Sequence, residues 1–557
     1  MSDIAPFDSS FAHGIYKDKY ANGNEEWEDT AFRATHHVLA AVDLEDSEEA
    51  RCIEALIADR MFIPGGRYLA STGQDLHQVQ NCALYRAEDS REGWGSLVNK
   101  AILALSTGAG VGVDYSDVRP NGSFISRTGG VASGPISLMK MVNENARNVM
   151  DGGGRRSALW AGLSWDHADI FDFIRIKDWP EWVRKVKSGE DVELADGTVI
   201  PGDFTFPAVL DMTNISVILD KPFFDAYEDP SDPRHDHAVK VYDLTVDKML
   251  TTAEPGFSVN YENPRESLRN ACTEITSEDD SDICNLGSLN LARFDTVEEF
   301  GNAVELATLY LLAGTVYSDL PHKEIYDTRE KNRRLGLGVM GVHEWLLKRG
   351  KKYGPDPELG EWLSEYAFRS RLAADLWSAR LGLSKPVKVR AIAPNGTIGI
   401  LAETTTSGEP ILSAAYKRRI RTADTSGDLV QFEYVVDPTA ARLIAEGVDP
   451  SLIEDAYSLS FDVERRIEFQ AWLQQYIDHG ISSTINLPAW NAQPFTHAEF
   501  GEILMKYLPK LRGITVYPDG ARGGQPLTAV PVEYALDKTG VRFEENEERC
   551  VGGACGV

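Results

Sequence analysis

A cysteine flanked by two hydrogen-bonding side chains lies near the middle of the chain. The stretch RNACTE places Cys272 two residues after Asn270 and two residues before Glu274. In an extended backbone alternate side chains point the same way, so these three groups would share one side. A neighbouring carboxylate disfavours the thiolate that a nucleophilic cysteine needs. The triplet therefore suits a sulfur that carries a hydrogen atom, with Glu274 as a base for a substrate hydroxyl and Asn270 as a substrate-binding amide. A buried cysteine on an ordinary strand is the alternative.

A second pair of cysteines stands near the end of the sequence. Cys550 and Cys555 are separated by VGGA, and the glycines would let the pair close a disulfide or wrap a metal ion. A structural zinc site needs four ligands, and no histidine or further cysteine lies nearby. We expect a thiol pair on a mobile arm that carries electrons to an interior site; a terminal segment without a role and metal transfer are the alternatives. Cys52, by contrast, falls in a helical pattern and is expected to be a small buried residue.

The stretch VKVRAIAPNGTIGILAE (387–403) has the pattern of a strand, a turn and a helix. Its turn consists of Pro394, Asn395, Gly396 and Thr397. Backbone N–H groups and a hydroxyl at a helix N-terminus form a common phosphate site. The turn therefore predicts phosphate binding, although many turns in α/β proteins share this pattern.

Two glycine-rich loops flank a helical pattern at residues 134–149. The second of them, DGGGRRS, carries Arg155 and Arg156. Arginine can bind phosphate or stack on a base, so the loops could clasp a nucleotide. Two ordinary connections are the alternative.

Composition restricts the class of protein. The chain has 557 residues, 43% hydrophobic and 25% charged, which is ordinary for a globular protein. A net charge of −30 argues against binding to nucleic-acid backbones. We find no apolar run of 18 residues and no signal-peptide pattern at the N-terminus, so we expect no membrane span and a cytoplasmic location.

The elements that must position these residues divide the chain into three parts. Residues 1–80 carry helical spacing and predict a mostly helical N-terminal region. Residues 81–537 alternate short apolar runs with helical stretches, which predicts an α/β catalytic domain. Residues 538–557 are acidic and then rich in glycine, and we expect a flexible redox-active tail.

Together and in order, these motifs resemble the ribonucleotide reductases, and among them the adenosylcobalamin-dependent class II enzymes. The matching stretches run along nearly the whole chain: FIPGGRYLASTG, NCALY, RTGGVASGPISLMK, GGGRRSA, NACTE, CNLGSLNLARF, RRLGLGVMG, APNGTIGILAETTTSGEP and TVYPDGARGGQPL, followed by the C-terminal cysteine pair.

The resemblance implies a ten-stranded α/β barrel with a central finger loop, and it implies roles for five residues. Cys272 would be the thiyl-radical cysteine at the tip of the finger loop and would take the 3′ hydrogen atom of the ribose. Glu274 would be the base for the 3′ hydroxyl, and Asn270 would hydrogen-bond the substrate. Cys82 and Cys284 would supply two electrons as the 2′ hydroxyl leaves as water, and would become a disulfide.

The resemblance also implies partners. Cys550 and Cys555 would reduce that disulfide and be renewed by a thioredoxin-like protein. The turn at 394–397 would bind the substrate phosphates. The segments 119–133 and 151–157 would bind a dNTP effector. The arginines concerned are Arg127, Arg155 and Arg156.

The features around Tyr517 favour class II. Class I catalytic subunits receive their radical through two adjacent tyrosines, whereas here Tyr517 is followed by proline. The resemblance therefore implies adenosylcobalamin as cofactor, no resident metal ion, and a homodimer that reduces ribonucleoside diphosphates. The finger motif N-A-C-T-E departs from the N-P-C-G-E of many class II relatives. A class I catalytic subunit that needs a radical-generating partner and a non-enzymatic nucleotide-binding or zinc-binding protein are the alternatives.

Overall fold

The computed structural model describes residues 7, 9–149, 158–203, 205–424, 427–489 and 492–519, with the short pieces 521, 527–530, 535, 538 and 542–543. Helices dominate the first 71 residues and then alternate with strands. The α-helices are α1 (Ser10–Lys19), α2 (Trp27–Ala40), α3 (Glu48–Ala58), α4 (Gly66–Ser71), α5 (Arg91–Ser106), α6 (Gly134–Asn148), α7 (Ile170–Ile174), α8 (Glu181–Lys187), α9 (Lys221–Glu228), α10 (His235–Thr252), α11 (Val297–Tyr317), α12 (Lys323–Asn332), α13 (Val342–Lys348), α14 (Pro357–Arg380), α15 (Gly396–Ala402), α16 (Pro438–Ala445), α17 (Ala456–Leu459), α18 (Val463–Gln474) and α19 (His497–Tyr507).

The strands form one large sheet and several small ones. They are β1 (Phe62–Pro64), β2 (Cys82–Arg86), β3 (Gly110–Asp114), β4 (Phe124–Ile125), β5 (Gly130–Val131), β6 (Leu159–Ser164), β7 (Val192–Glu193), β8 (Val199–Ile200), β9 (Thr213–Asp220), β10 (Gly256–Asn260), β11 (Leu268–Arg269), β12 (Thr276–Ser277), β13 (Asp282–Asn290), β14 (Leu335–Met340), β15 (Ala415–Asp424), β16 (Gly427–Val436), β17 (Thr484–Leu487), β18 (Gly513–Pro518), β19 (Leu527–Ala529) and β20 (Arg542–Phe543).

Nine strands of the ten-stranded sheet form two parallel halves that meet antiparallel, and the tenth, β1, pairs antiparallel with β13. The first half runs β2, β3, β6, β9 and β10, each parallel to its neighbour. The second half contains the parallel pairs β13–β14 and β17–β18. The halves join antiparallel where β2 pairs with β13 and where β10 pairs with β18. Parallel strands need helical crossovers, which explains why helices separate the strands of each half along the chain.

Residues 389–392 close the sheet into a barrel. The N–H of Ala391 donates to the carbonyl of Leu337 on β14 at 3.0 Å. On the other side, the N–H of Ile392 donates to Gly480 at 3.2 Å, just before β17. The expected ten-stranded α/β barrel after a mostly helical N-terminal region is confirmed.

Helices cover the outside of the barrel in two hydrophobic cores. One core lies between the first half and the helices around it, among them α5, α6, α10 and α19. The other joins α2 and α3 to α11, α13 and α14 beside the second half. A smaller sheet of β19, β15, β16 and β20 lies apart from the barrel sheet. None of the described helices is long and apolar enough to cross a bilayer.

The expectation for Cys52 is wrong, because this residue is exposed on α3. Ala50, Ile53 and Ile57 are the buried residues of that helix. They stand three and four residues apart and so share one face. Cys52 is adjacent to Ile53, and adjacent residues of a helix point about 100° apart.

Candidate active site

A short finger enters the barrel between the two halves of the sheet. Its sides are β11 and β12, in the register Leu268↔Ser277. At its tip, the N–H of Thr273 donates to the carbonyl of Asn270 at 3.0 Å, which makes a tight turn. The side-chain oxygen of Asn270 accepts the N–H of Ile275 at 2.9 Å. The tip is therefore a turn, not the extended backbone that the alternation of residues suggested, and Thr273 takes a left-handed φ of 68°.

Glycines on β3 let the finger lie flat against that strand. A Cβ on Gly112 would stand 1.8 Å from the carbonyl oxygen of Arg269. A Cβ on Gly110 would stand 2.9 Å from the Cys82 sulfur and 3.0 Å from the Ala271 methyl. Both distances lie below van der Waals contact, so this approach requires glycine at both positions.

Arg269 fixes the base of the finger from the opposite side. Its guanidinium is fully buried. It donates to the Glu266 carbonyl at 2.6 Å, to the Val259 carbonyl at 3.1 Å and to the Asn260 side chain at 2.5 Å. A further hydrogen bond of 3.3 Å reaches the carbonyl of Arg512, next to β18. One side chain thus ties the finger to β10 and to the residue before β18, where the two halves of the barrel meet.

Two reduced thiols stand directly beside the finger tip. Cys82 on β2 and Cys284 on β13 are opposite each other in the antiparallel pair, and both are buried thiols. Directly opposed residues have Cα atoms about 4.5–5.5 Å apart, within the range that a disulfide spans. The hydrogen bond with Cys82, followed by burial, raises the pKa of the Cys284 thiol well above its usual value. Ala271 of the finger packs in the same small apolar cluster.

Glu274 is buried beside these thiols. Burial, with a smaller contribution from the Cys82 thiol, raises the pKa of its carboxyl group to about 8. Its Oε2 atom and the Nδ2 atom of Asn270 have no hydrogen-bond partner within the described part of the chain. Cys272, between them, is only half-buried. The structure therefore brings together all five predicted residues: a half-buried thiol, a buried carboxyl group, a buried amide and a buried thiol pair.

The predicted phosphate-binding turn lies at the N-terminal end of α15. Asn395 caps this helix with a left-handed φ of 56°. It accepts a hydrogen bond from the Ser288 hydroxyl at 3.1 Å, while its Nδ2 atom is buried without a partner among the described residues. Pro394 and Gly396 are exposed and Thr397 is half-buried, so the first N–H groups of the helix lie open to a ligand.

Comparison with known proteins identifies the family. The profile described as "Ribonucleotide reductase, barrel domain" matches residues 80–362 and 386–517. The chain belongs to the ribonucleotide reductases.

Individual relatives agree with this family. The vitamin B12-dependent ribonucleoside-diphosphate reductase of Mycobacterium tuberculosis (strain CDC 1551 / Oshkosh) is 27% identical, over 94% of this chain and 80% of the relative. A reductase of the same name from Thermoplasma acidophilum is 27% identical, over 86% of this chain and 66% of the relative. The class Id ribonucleotide reductase alpha subunit of Actinobacillus ureae has the same fold, with a TM-score of 0.70 at 16% identity, over 92% of this chain and 97% of that one.

Of the arginines predicted to bind the effector, only Arg127 falls within the described residues. It is exposed, in the hairpin between β4 and β5. Arg155, Arg156, Cys550 and Cys555 lie outside the described residues. These four assignments stay predictions.

Sequence reasoning missed the residues that support the reductase finger. Gly110 and Gly112 alternate with valines in GVGVD. This alternation could have indicated a strand with glycines on one face, which another segment of backbone can approach closely. Arg269 gave no signal, because its acceptors come from segments far apart in the sequence.

Proposed function

We infer that this chain is an adenosylcobalamin-dependent ribonucleotide reductase, which converts ribonucleotides to 2′-deoxyribonucleotides by thiyl-radical chemistry. One observation carries the inference: a half-buried thiol, Cys272, stands at the tip of a finger inside the barrel, beside the buried thiol pair Cys82 and Cys284. The family match and the names of the relatives support the same reaction and the same cofactor.

The five residues divide the reaction among them. Cys272, as a thiyl radical, takes the 3′ hydrogen atom of the ribose while Glu274 accepts the 3′ hydroxyl proton. Cys82 and Cys284 supply two electrons and two protons, the 2′ hydroxyl leaves as water, and the two sulfurs join as a disulfide. Cys272 then returns the hydrogen atom to C3′. The Asn270 amide, whose Nδ2 atom lacks a partner among the described residues, holds a substrate hydroxyl.

The exposure of the finger tip fits a large radical-generating cofactor. Cys272 and Thr273 are half-buried, whereas Asn270, Ala271 and Glu274 are buried. A cofactor can therefore reach the Cys272 sulfur without unfolding the finger. Bound adenosylcobalamin supplies the radical chemistry that starts each turnover.

The proposed function also assigns the substrate phosphate site, the reductant and the compartment. The turn at 394–397 binds the substrate phosphates, for which the capping geometry of Asn395 is the support. Cys550 and Cys555 reduce the Cys82–Cys284 disulfide and are themselves reduced by a thioredoxin-like protein. Such a cycle requires a compartment that keeps thiols reduced, so we place the enzyme in the cytoplasm.

We assign the dNTP effector and the homodimer contact to the region of α5, α6 and the β4–β5 hairpin. Arg127 and the loop at 151–157, with Arg155 and Arg156, would bind the effector. Large apolar side chains lie exposed in this region, which is typical of a protein contact. They are Ile102, Leu103, Phe124, Val131 and Met141.

A single assay tests the proposed function. The purified chain is supplied with adenosylcobalamin and dithiothreitol, without a second protein, and with ADP or ATP in parallel. We expect dADP from ADP at a greater rate than dATP from ATP. Product formed only after addition of a metal-containing partner subunit would instead identify a class I catalytic subunit.

A further inference from the structure

The finger has two arms, and the second arm carries the carboxyl group of Glu274. The first arm, with β11, leads into the tip, and the second, with β12, leads out of it. Two backbone groups of the second arm are bound by a short segment that precedes β17. The N–H of Gly480 donates to the carbonyl of Glu274 at 2.7 Å, and the N–H of Thr276 donates to the Nδ1 atom of His479 at 3.2 Å. We call residues 478–480 the bridging segment.

The bridging segment also holds the strand that closes the barrel. The carboxylate of Asp478 accepts the N–H of Arg390 at 2.7 Å. The N–H of His479 donates to the Arg390 carbonyl at 3.0 Å. Four residues further on, this strand enters the turn at 394–397. One short segment therefore contacts both the arm that carries the carboxyl group and the strand that leads to the proposed phosphate site.

The imidazole of His479 is fully buried and acts as an acceptor. A backbone N–H can only donate, so Nδ1 is the accepting nitrogen and the ring proton lies on Nε2. The Thr276 hydroxyl also lies 3.3 Å from Nδ1, and its oxygen accepts a hydrogen bond from Lys388 at 2.9 Å. The Nε2 atom has no hydrogen-bond partner within the described part of the chain. The ring therefore acts on the finger through Nδ1.

The surroundings of His479 favour this neutral form. Burial, followed by four neighbouring cations, lowers the pKa of its imidazole well below the usual value. These cations are Lys388, Arg334, Arg269 and Arg390. The carboxylates of this region pair with three of the cations: Glu266 with Lys388, Asp282 with Arg334 and Asp478 with Arg390. A protonated ring would present an N–H to the N–H of Thr276, so the hydrogen bond requires the neutral form.

We propose that His479 is a positioning residue for Glu274, because it holds the second arm of the finger and so sets the place of the carboxyl group relative to the turn at 394–397. The proposal rests on the proposed function, in which this carboxyl group acts on a hydroxyl of a nucleotide whose phosphates bind that turn. Arg269 and Gly112 fix the first arm. The bridging segment fixes the arm that carries the base.

Two variants with the same side-chain shape separate the hydrogen bond from packing. Asparagine and leucine share one branched skeleton. The Oδ1 atom of asparagine is bonded to Cγ, as Nδ1 of histidine is, whereas leucine has a methyl group there. His479→Asn should therefore keep an acceptor for the N–H of Thr276, and His479→Leu removes it. Both variants leave the same space where the imidazole stood, so any difference between them reports the acceptor.

Infrared difference spectra measure the protonation of Glu274 without cofactor or turnover. The spectrum of each chain minus that of its Glu274→Gln form contains the carboxyl band. Burial, followed by the Cys82 thiol, raises the pKa of this group to about 8, so the band of the unchanged chain should disappear with a midpoint near pH 8. We expect the same midpoint in His479→Asn. In His479→Leu the arm moves and water reaches the carboxyl group, so the midpoint should fall by about one pH unit.

Steady-state kinetics with ADP give a second readout. The kcat of His479→Leu should fall about tenfold, less than the loss of about 100-fold for a displacement of 1 Å. The KM should stay within about twofold, because the backbone hydrogen bonds of the bridging segment to Arg390 remain. His479→Asn should restore kcat to within about twofold of the unchanged chain. A general loss of folded protein would lower the rate of both variants and would not move the infrared midpoint.

His343 on α13 offers a matched control. It is also fully buried, its Nδ1 atom accepts the N–H of Ile411 at 3.1 Å, and its Nε2 atom has no partner among the described residues. His343→Leu therefore removes a hydrogen bond of the same kind away from the finger. It should leave the infrared midpoint near pH 8 and kcat within about twofold. An equal fall of the midpoint in His343→Leu and His479→Leu overturns the proposal.

The remaining outcomes separate this inference from the function on which it rests. The same midpoint in His479→Leu and His479→Asn, with an active unchanged chain, overturns the positioning role alone. If His479→Leu does not fold, His479→Phe takes its place, since it keeps a planar ring without an acceptor and carries the same expectation. An unchanged chain that forms no dADP with adenosylcobalamin overturns the proposed function, while the infrared midpoints still decide whether His479 positions the carboxyl group.

Discussion

The two sides of the finger tip differ in packing and in access to solvent. Ala271 lies on the closed side, in a small apolar cluster with Cys82 and Cys284. Thr273 lies on the open side, where it and Cys272 are half-buried. The closed side keeps two thiols close together and away from water, as controlled two-electron reduction requires. The open side gives a large reactant access to one sulfur. In the proposed reaction, this difference gives Cys272 one side toward the thiol pair and another side open to solvent.

Removal of the Cys272 sulfur should have the largest effect. Cys272→Ala leaves the barrel, the thiol pair and the turn at 394–397 in place, but it removes the atom that is proposed to carry the hydrogen. We expect no detectable deoxynucleotide by chromatography, with the Kd of the substrate within a factor of two. The matched control is Cys52→Ala on the exposed surface of α3, which should retain full activity. Product formation by Cys272→Ala would falsify its role.

A methyl group on the closed side should have the next largest effect. In Gly112→Ala, the new Cβ would stand 1.8 Å from the carbonyl oxygen of Arg269, so the finger must shift. Overpacking of this kind costs about 1–3 kcal/mol of unfolding free energy. A displacement of about 1 Å in a catalytic group can cost 100-fold in rate.

We therefore expect kcat for Gly112→Ala to fall about 100-fold. Steady-state kinetics and urea unfolding measure the two effects. Gly14→Ala is the control, because a Cβ at this position of α1 meets nothing within 4 Å. It should stabilise the helix by up to about 1 kcal/mol without a change in rate. Equal kinetics for the two alanine variants would show that the finger does not need the glycine.

The carboxyl group on the closed side should make activity depend on pH. The pKa of Glu274 is raised to about 8 by burial and by Cys82, so most of the free enzyme holds this group protonated at pH 7. A base must be ionised, so kcat/KM should rise with pH through about 8 and level off above it. A profile that is flat from pH 6 to pH 9 would contradict the assigned base.

The same shift in pKa has a consequence for stability. The folded chain binds this proton more tightly than the unfolded chain, whose glutamate titrates near its ordinary pKa of about 4.3. The contribution to stability is complete below that value and is lost as the pH rises through about 8. Glu274→Gln should therefore gain stability over the unchanged chain as the pH rises from 5 to 8, by about 3–4 kcal/mol. Thermal unfolding at both pH values measures the gain.

The barrel could be predicted from the sequence more completely than the details of the site. The order of the motifs was enough to predict the ten-stranded barrel and the grouping of Cys82, Cys272 and Cys284, because it carries the resemblance to the family. Arg269 could not be foreseen, because its acceptors meet only after β10 and β18 pair. The turn at the finger tip was implied by the family resemblance but not by the pattern of the residues themselves. Alternation of side-chain types indicated an extended backbone, whereas the hydrogen bond from Thr273 to Asn270 bends the chain there.

The smallest expected effect concerns the backbone of the open side. Thr273 holds a left-handed φ of 68°, a conformation that costs a branched residue about 1 kcal/mol and glycine very little. Thr273→Gly should therefore raise the unfolding free energy by about 0.5 kcal/mol, after the greater freedom of glycine in the unfolded chain is subtracted. Ala271→Gly, on the closed side, relieves no strain and loses the methyl contact beside Gly110, so it should lower that free energy by about 1 kcal/mol. Urea unfolding distinguishes the opposite signs. An equal loss of stability in both variants would contradict this prediction. It would mean that the backbone of the open side is no more strained than the backbone of the packed side.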